Sequence, residues 1–235
     1  MRPARGVPLT RWRAEGSRWR ARASTYAVLG LGLWLFGSGE ALLVAAGIGV
    51  APWTVFAQGI GLHLGLDIGV AVFLTSCTVL LFWIPLRQVP GLGTLANAVI
   101  LAVALEVMLL VLPTATTFPW QIAEALAGIA VIGIGSGLYL TTNLGAGPRD
   151  GMMTGLHLRT GWPVTPIRLC IEIVVLGIGW ALGGTVGLGT LLFALLVGPS
   201  VGYGLAIVGR LGHATGYAVP VDPDDSPREH PELDA

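Results

Sequence analysis

The chain has 235 residues, of which 54% are hydrophobic and only 11% charged, and its mean hydropathy is +0.77. Soluble domains carry about 25% charged residues, so a water-facing globular domain is excluded and an integral membrane protein is expected. The formal net charge is zero, yet seven of the thirteen arginines precede Ala23 and six of the thirteen acids follow Pro220.

In chain order, residues 1–25 form a basic arm: Arg2, Arg5, Arg11, Arg13, Arg18, Arg20 and Arg22, with Trp12 and Trp19 between them and no lysine anywhere. Arginine holds its charge in any environment and grips phosphate with a planar fork. The arm therefore suits the anionic lipids of a cytoplasmic leaflet, and nucleic acid is not an expected partner. The apolar run after Tyr26 is longer than the core of a signal peptide and reads as a first, retained transmembrane helix. Apolar segments follow at about 26–48, 67–86, 94–112, 121–142, 164–183 and 189–209, each close to the roughly 20 residues a span needs. Two stretches between them, Pro52 to Leu64 and Pro148 to Leu158, are too short to cross and read as re-entrant or interfacial half-helices. From about 218 the chain carries Pro220, Pro223, Pro227 and Pro231 among acids, and this tail to 235 is expected to be disordered. Cys77 and Cys170 lie inside apolar runs and point to neither a disulfide nor a metal.

Sliding the sequence against itself by 96 positions aligns Gly91-Leu92-Gly93-Thr94-Leu95 with Gly187-Leu188-Gly189-Thr190-Leu191. The same offset pairs Gly37 with Gly133, Gly39 with Gly135, Gly49 with Gly145, Pro52 with Pro148, Gly59 with Gly155 and Gly65 with Gly161. The fold class expected is all-α and polytopic: six transmembrane helices as two three-helix repeats, 26–112 and 121–209. Each repeat holds a Pro-led half-helix and a Gly-Leu-Gly-Thr turn. Three spans is an odd number, so the second copy must enter from the opposite side, giving inverted repeats. Arg87, Arg149, Arg159, Arg168, Arg210 and Arg228 then all fall on or near the cytoplasmic side, while loops 49–66, 113–120 and 184–188 contain no arginine. That is the positive-inside pattern, and it places both termini in the cytoplasm. Trp19, Trp83 and Trp162 are expected at one membrane interface, and Trp53, Trp120 and Trp180 at the other.

These residues resemble a known family, the YczE-like bacterial membrane proteins grouped with YyaS and YitT. The resemblance is carried by Pro52-Trp53-Thr54-Val55-Phe56-Ala57-Gln58-Gly59, by Trp83-Ile84-Pro85-Leu86-Arg87 running into Gly91-Leu92-Gly93-Thr94, and by Gly145-Ala146-Gly147-Pro148-Arg149-Asp150-Gly151. Arg168-Leu169-Cys170-Ile171-Glu172 and Gly198-Pro199 complete it, over about 26–209. It implies a polytopic membrane protein and carries no reaction across. One departure is Thr54, where the resemblance implies an acid, and this weakens the first half-site.

Glycine makes up 35 of the 235 residues. Small residues four apart, such as Gly133 with Gly137 and Gly198 with Gly202, allow close helix approach in lipid. Gly-x-Gly at 37 and 39 and at 133 and 135 leaves two readings open, close packing or a local helix break. Ionisable groups inside apolar spans cost about 2.5 to 3.5 kcal/mol each even on the lenient scale, so Glu40, Glu106, Glu124 and Glu172 are candidates for function. Arg168 and Glu172 stand four apart and read as an intrahelical pair, with gating as the alternative. Glu40 and Glu106 have no basic partner at comparable depth, which leaves a protonated, hydrogen-bonded carboxyl or a coupling acid. Glu124 is shallow enough to reach water.

Pro52 and Pro148 each mark a helix start whose free amides favour anions. A solute site is therefore expected from Gly49, Pro52 and Trp53 on one side and Gly145, Gly147, Pro148, Arg149 and Asp150 on the other. No catalytic constellation, nucleotide fingerprint, metal cluster or cofactor motif is present in the sequence, so an enzyme is not expected. The function expected is a secondary transporter or exporter of a small anionic or amphipathic solute. The alternative is a non-transporting membrane scaffold or regulatory protein.

Overall fold

The computed structural model describes residues 6–218; the acidic tail beyond, and Arg2 and Arg5, lie outside the described residues. Among the described residues eight helices run in order: α1 (Ala23–Ala46), α2 (Pro52–Leu64), α3 (Ile68–Leu86), α4 (Leu92–Val111), α5 (Phe118–Thr141), α6 (Pro148–Thr160), α7 (Val164–Ala181) and α8 (Leu188–Leu211). Six of them, all but α2 and α6, are long and apolar enough to cross a membrane. The all-helical, six-span architecture expected from the sequence is the one observed.

Local chemistry sets the boundaries. Each of α2 and α6 has 13 residues, about 20 Å of helix against a hydrocarbon core of about 30 Å, so neither can span. Proline at the first position opens both without wasting an amide, and left-handed Gly65 and Gly161 close them. The Gly-Leu-Gly-Thr repeats are helix starts rather than turns. The Gly91 and Gly187 amides donate to the hydroxyls of Thr94 and Thr190, three residues on, at 3.2 and 3.3 Å, which satisfies amides that a helix start leaves free.

Glycine packing decides how the long helices cross. Gly32 of α1 lies against Tyr139 and Gly39 against Gly128, so close that a Cβ at either position would stand 2.7 or 2.6 Å from backbone. Rising numbers on α1 meet falling numbers on α5, and the two central helices are therefore antiparallel. Gly37 seats α1 on Ala104 of α4, while Gly133 seats α5 on Ser200 of α8. Both helices run unbroken through their Gly-x-Gly steps, so packing is the use made of them and the break is not seen. The half-helices exchange partners: α2 packs on α7 through Gly59 and Gly179, and α6 packs on α3 through Gly151 and Trp83.

The same 96-residue offset recurs in these contacts. The Gly93 amide donates to the Leu144 carbonyl at 2.9 Å, and the Gly189 amide donates to the Ile48 carbonyl at 2.8 Å. Each contact is the other with both partners moved to the opposite copy. They stand at opposite ends of the bundle, because α1 and α5 start at opposite ends.

The arm is folded against the bundle. Thr10, Trp12 and Ala14 are buried, and the Trp12 indole donates to the Thr141 hydroxyl at 3.0 Å. Val7–Pro8 pairs antiparallel with Tyr217–Ala218. Arg11, Arg18, Arg20 and Arg22 remain at least partly exposed. The tryptophan expectation needs correction: Trp19, Trp120, Trp162 and Trp180 are exposed, but Trp53 and Trp83 are buried. Their apolar area is spent on the half-helices instead of on an interface.

Candidate functional site

The starts of α2 and α6 converge on a cavity of about 260 Å³ inside the bundle. Pro52, Trp53, Gly147, Pro148, Arg149 and Asp150 all line it, joined by Glu40 from α1 and by Arg168 and Glu172 from α7. Trp53 and Arg149 are counterparts at the 96-residue offset, and here they meet: the guanidinium lies 5.3 Å from the indole centroid, within cation–π reach. Much of the remaining wall is apolar, including Phe36, Ile132, Met153, Phe193 and Val197.

Glu40 is 1% exposed. Its Oε2 accepts from the Thr54 hydroxyl at 2.6 Å, while Oε1 stands 3.9 Å from Arg149 Nη1 and has no hydrogen-bond partner among the described residues. The expectation that Glu40 lacks a basic partner is therefore overturned. Sequence distance hid the pair, because only the inward turn of α6 brings Arg149 to the level of Glu40. Thr54, where the family resemblance implied an acid, is instead the donor that orients the carboxylate of Glu40.

Asp150 accepts from the buried Tyr139 hydroxyl at 2.9 Å, which fixes the first turn of α6. The Trp83 indole donates to the Pro148 carbonyl at 2.9 Å and ties the same turn to α3. Arg168 and Glu172 form the expected pair at 2.8 Å, partly exposed at the edge of the cavity. Tyr139, Asn97, Ser76 and Ser136 also line the site or its approaches and were not singled out from sequence. A tyrosine within an apolar span must find a partner for its hydroxyl, and that signal could have found Tyr139.

Three expected residues are elsewhere. Gly49 and Gly145 sit at the junctions before the half-helices, packed on Gly187 and Thr94 respectively. Glu106 lies outside the cavity and accepts from the Gly69 amide at 2.7 Å. It caps the start of α3, where a carboxylate complements free amides and dipole. Glu106→Gln keeps an acceptor and loses the charge, so we expect a stability loss of about 1 kcal/mol, measured by thermal unfolding of the purified variant. Glu124, expected to reach water, is buried, and its Oε2 lacks a hydrogen-bond partner among the described residues.

The family model described as "Family of unknown function (DUF6198)" matches residues 23–204, a stretch that includes every residue lining this cavity. The chain belongs to this family. It is similar to a Haemophilus influenzae protein, 43% identical over 89% of this chain and 95% of that protein. It is also similar to the membrane protein YczE of Bacillus subtilis, 32% identical over 77% of this chain and 82% of that one. YyaS of Bacillus subtilis is 24% identical over 79% of this chain and 94% of that one. These relatives agree with the YczE-like resemblance carried by the half-helix motifs. No solved structure matches the chain.

Proposed function

We propose that this protein is a secondary transporter or exporter of a small anionic or amphipathic solute, working by alternating access of two inverted repeats in a bacterial cell membrane. The observation that carries the reading is the meeting of two helix starts at a buried, charged cavity, with Trp53 on its own counterpart Arg149. A residue that touches its counterpart lies near a two-fold axis, and the antiparallel crossing of α1 and α5 supports an axis that runs across the helices, in the membrane plane. Irregular backbone at that depth is tolerated where it is protein-covered or faces water. The solute is moved without chemical change. The exposed arginines of the arm hold anionic lipid headgroups, with both termini cytoplasmic.

The test is two-sided access. Ser136 lines the cavity and is 3% exposed. In a chain freed of Cys77 and Cys170, Ser136→Cys is expected to react with a membrane-impermeant thiol reagent from either side of a vesicle. Reaction from one side alone under every condition overturns transport. Topology is checked separately with Val89→Cys and Val186→Cys, exposed at 65% and 38%. They are expected to label from opposite sides, the arm side being that of Val89.

A further inference from the structure

The cavity contains a charged pair that is only loosely joined. Glu40 and Arg149 stand 3.9 Å apart, beyond hydrogen-bond range, and the facing oxygen Oε1 has no partner among the described residues. The other oxygen is held by Thr54 at 2.6 Å, so the carboxyl cannot swing away to find a better one. Arg149 is steadied independently by Trp53 at 5.3 Å, and it keeps its place if Glu40 lets go. A buried carboxylate next to a guanidinium with unused donors is a site already half-prepared for exchange: another anion can take the guanidinium if Glu40 gives up its charge.

We propose that the site binds an organic monocarboxylate on Arg149 while Glu40 takes up one proton, so that solute and proton move together. This rests on the reading of the cavity as a solute site. The charge balance argues for it. With the site empty, Arg149 is positive and Glu40 negative. With the site filled, Arg149 pairs with the solute anion and Oε1 of Glu40 carries a proton taken from cavity water. The O–H bond formed at Oε1 replaces an O–H bond of hydronium, and no net charge is added to a low-dielectric interior where an uncompensated charge costs several kcal/mol. Filled and empty forms are thus equally suited to rearrange, as a transporter of one solute and one proton requires. The apolar wall of Phe36, Ile132, Met153 and Phe193 suits a hydrocarbon tail and disfavours a fully hydrated inorganic ion. The other charged or titratable groups facing this space are Asp150 from α6, Tyr139 from α5, and Arg168 and Glu172 from α7; α4 contributes neutral Asn97. Asp150 is engaged by Tyr139 and Glu172 by Arg168, and among the described residues lining this space Oε1 of Glu40 is the fully buried carboxylate oxygen without a hydrogen-bond partner.

The probe is hexanoate, titrated calorimetrically into the purified full chain in two buffers of different ionisation heat, which counts protons. The wild type is expected to take up about one proton per hexanoate, with affinity falling about tenfold per pH unit once Glu40 is ionised in the empty site. Glu40→Gln is expected to bind hexanoate with no proton uptake and no such pH slope. Arg149→Gln should lose affinity by tenfold or more. Should Arg149→Gln fail to fold, Arg149→Lys decides the point: the charge remains and the fork is lost, giving weaker binding with the proton still counted. Hexanoate binding without proton uptake by the wild type, or uptake that survives in Glu40→Gln, overturns the coupling. Failure of hexanoate to bind, with or without binding of hexylammonium instead, overturns the solute class. None of these readings requires movement across a membrane. Two-sided reactivity of Ser136→Cys with a zero proton count removes the coupling alone, while one-sided reactivity with a count of one removes transport and leaves a proton-linked anion receptor.

Discussion

Arg149→Met is expected to lower the stability of the purified chain by about 3 kcal/mol, whereas the double variant Glu40→Gln with Arg149→Met should recover most of that loss. The single change removes the cation facing Glu40 and leaves a carboxylate that is 1% exposed with one hydrogen bond, from Thr54. Breaking a buried pair from one side typically costs about 3 to 5 kcal/mol because the surviving charge is stranded. The low end applies here, since the pair is 3.9 Å apart and the Arg149 side chain is 20% exposed. Replacing both partners by neutral side chains of similar volume avoids the stranded charge, and glutamine still accepts from Thr54. The sign with pH follows: protonation of Glu40 relieves the single variant, so its deficit against wild type should shrink as pH falls. Equilibrium unfolding of the three proteins at two pH values measures this, and a double variant no better than Arg149→Met would show that the two side chains act separately.

This pair also marks the limit of what the sequence made legible. The half-helices were readable because proline starts are local signals, and Pro52 and Pro148 stand where those signals place them; the second half-helix runs to Thr160, two residues past its expected end, and stops at left-handed Gly161. The duplication was readable because backbone contacts constrain glycine strictly. Gly49, Gly145, Gly91 and Gly187 all lie where backbones touch. Side-chain partnerships are not local. Glu40 and Arg149 belong to different copies and meet only once α1, α2 and α6 have packed, so residue spacing offered no route to them. Trp53 and Trp83 went astray for a related reason: tryptophan near a helix end suits a membrane interface and a buried polar turn equally well, and only the tertiary fold chooses. Glu106 and Glu40 read alike in sequence, as lone acids in apolar helices, yet one caps α3 and the other faces the cavity. The copies have also diverged where they meet. Trp53 faces Arg149, and Ser136 and Ser76 occupy the positions that correspond to Glu40 and Glu172 at the 96-residue offset, so sequence copies that share their glycines and prolines carry different charges.

Gly145→Ala and Gly49→Ala are expected to destabilise by similar amounts, about 2 to 4 kcal/mol each, although neither position lines the cavity between the half-helix starts. Gly145 has φ +124° and Gly49 φ +112°, conformations that residues with a Cβ rarely adopt and that cost about 1 to 3 kcal/mol when forced. Space is closed as well. A Cβ at Gly145 would stand 2.7 Å from Thr94 Oγ1, and one at Gly49 would stand 2.8 Å from Thr190 Oγ1 and 2.6 Å from the Gly187 amide nitrogen. Those two hydroxyls cap α4 and α8, and Thr94 also donates to the Ala146 carbonyl at 2.8 Å. Moving either hydroxyl adds the loss of about 1 kcal/mol per hydrogen bond. Gly30 and Gly177 are helical, and a Cβ added at either would meet nothing within 4 Å. They supply the contrast: alanine there should be neutral or stabilising by up to about 1 kcal/mol through helix propensity. Thermal midpoints of the four variants in one detergent make the comparison. The junctions before α2 and α6 hold the half-helix starts at the cavity, so a loss confined to Gly49 and Gly145 would tie the strained backbone to the position of Trp53 and Arg149. Gly145→Ala as stable as Gly30→Ala would instead show that the two junctions do not fix the half-helices.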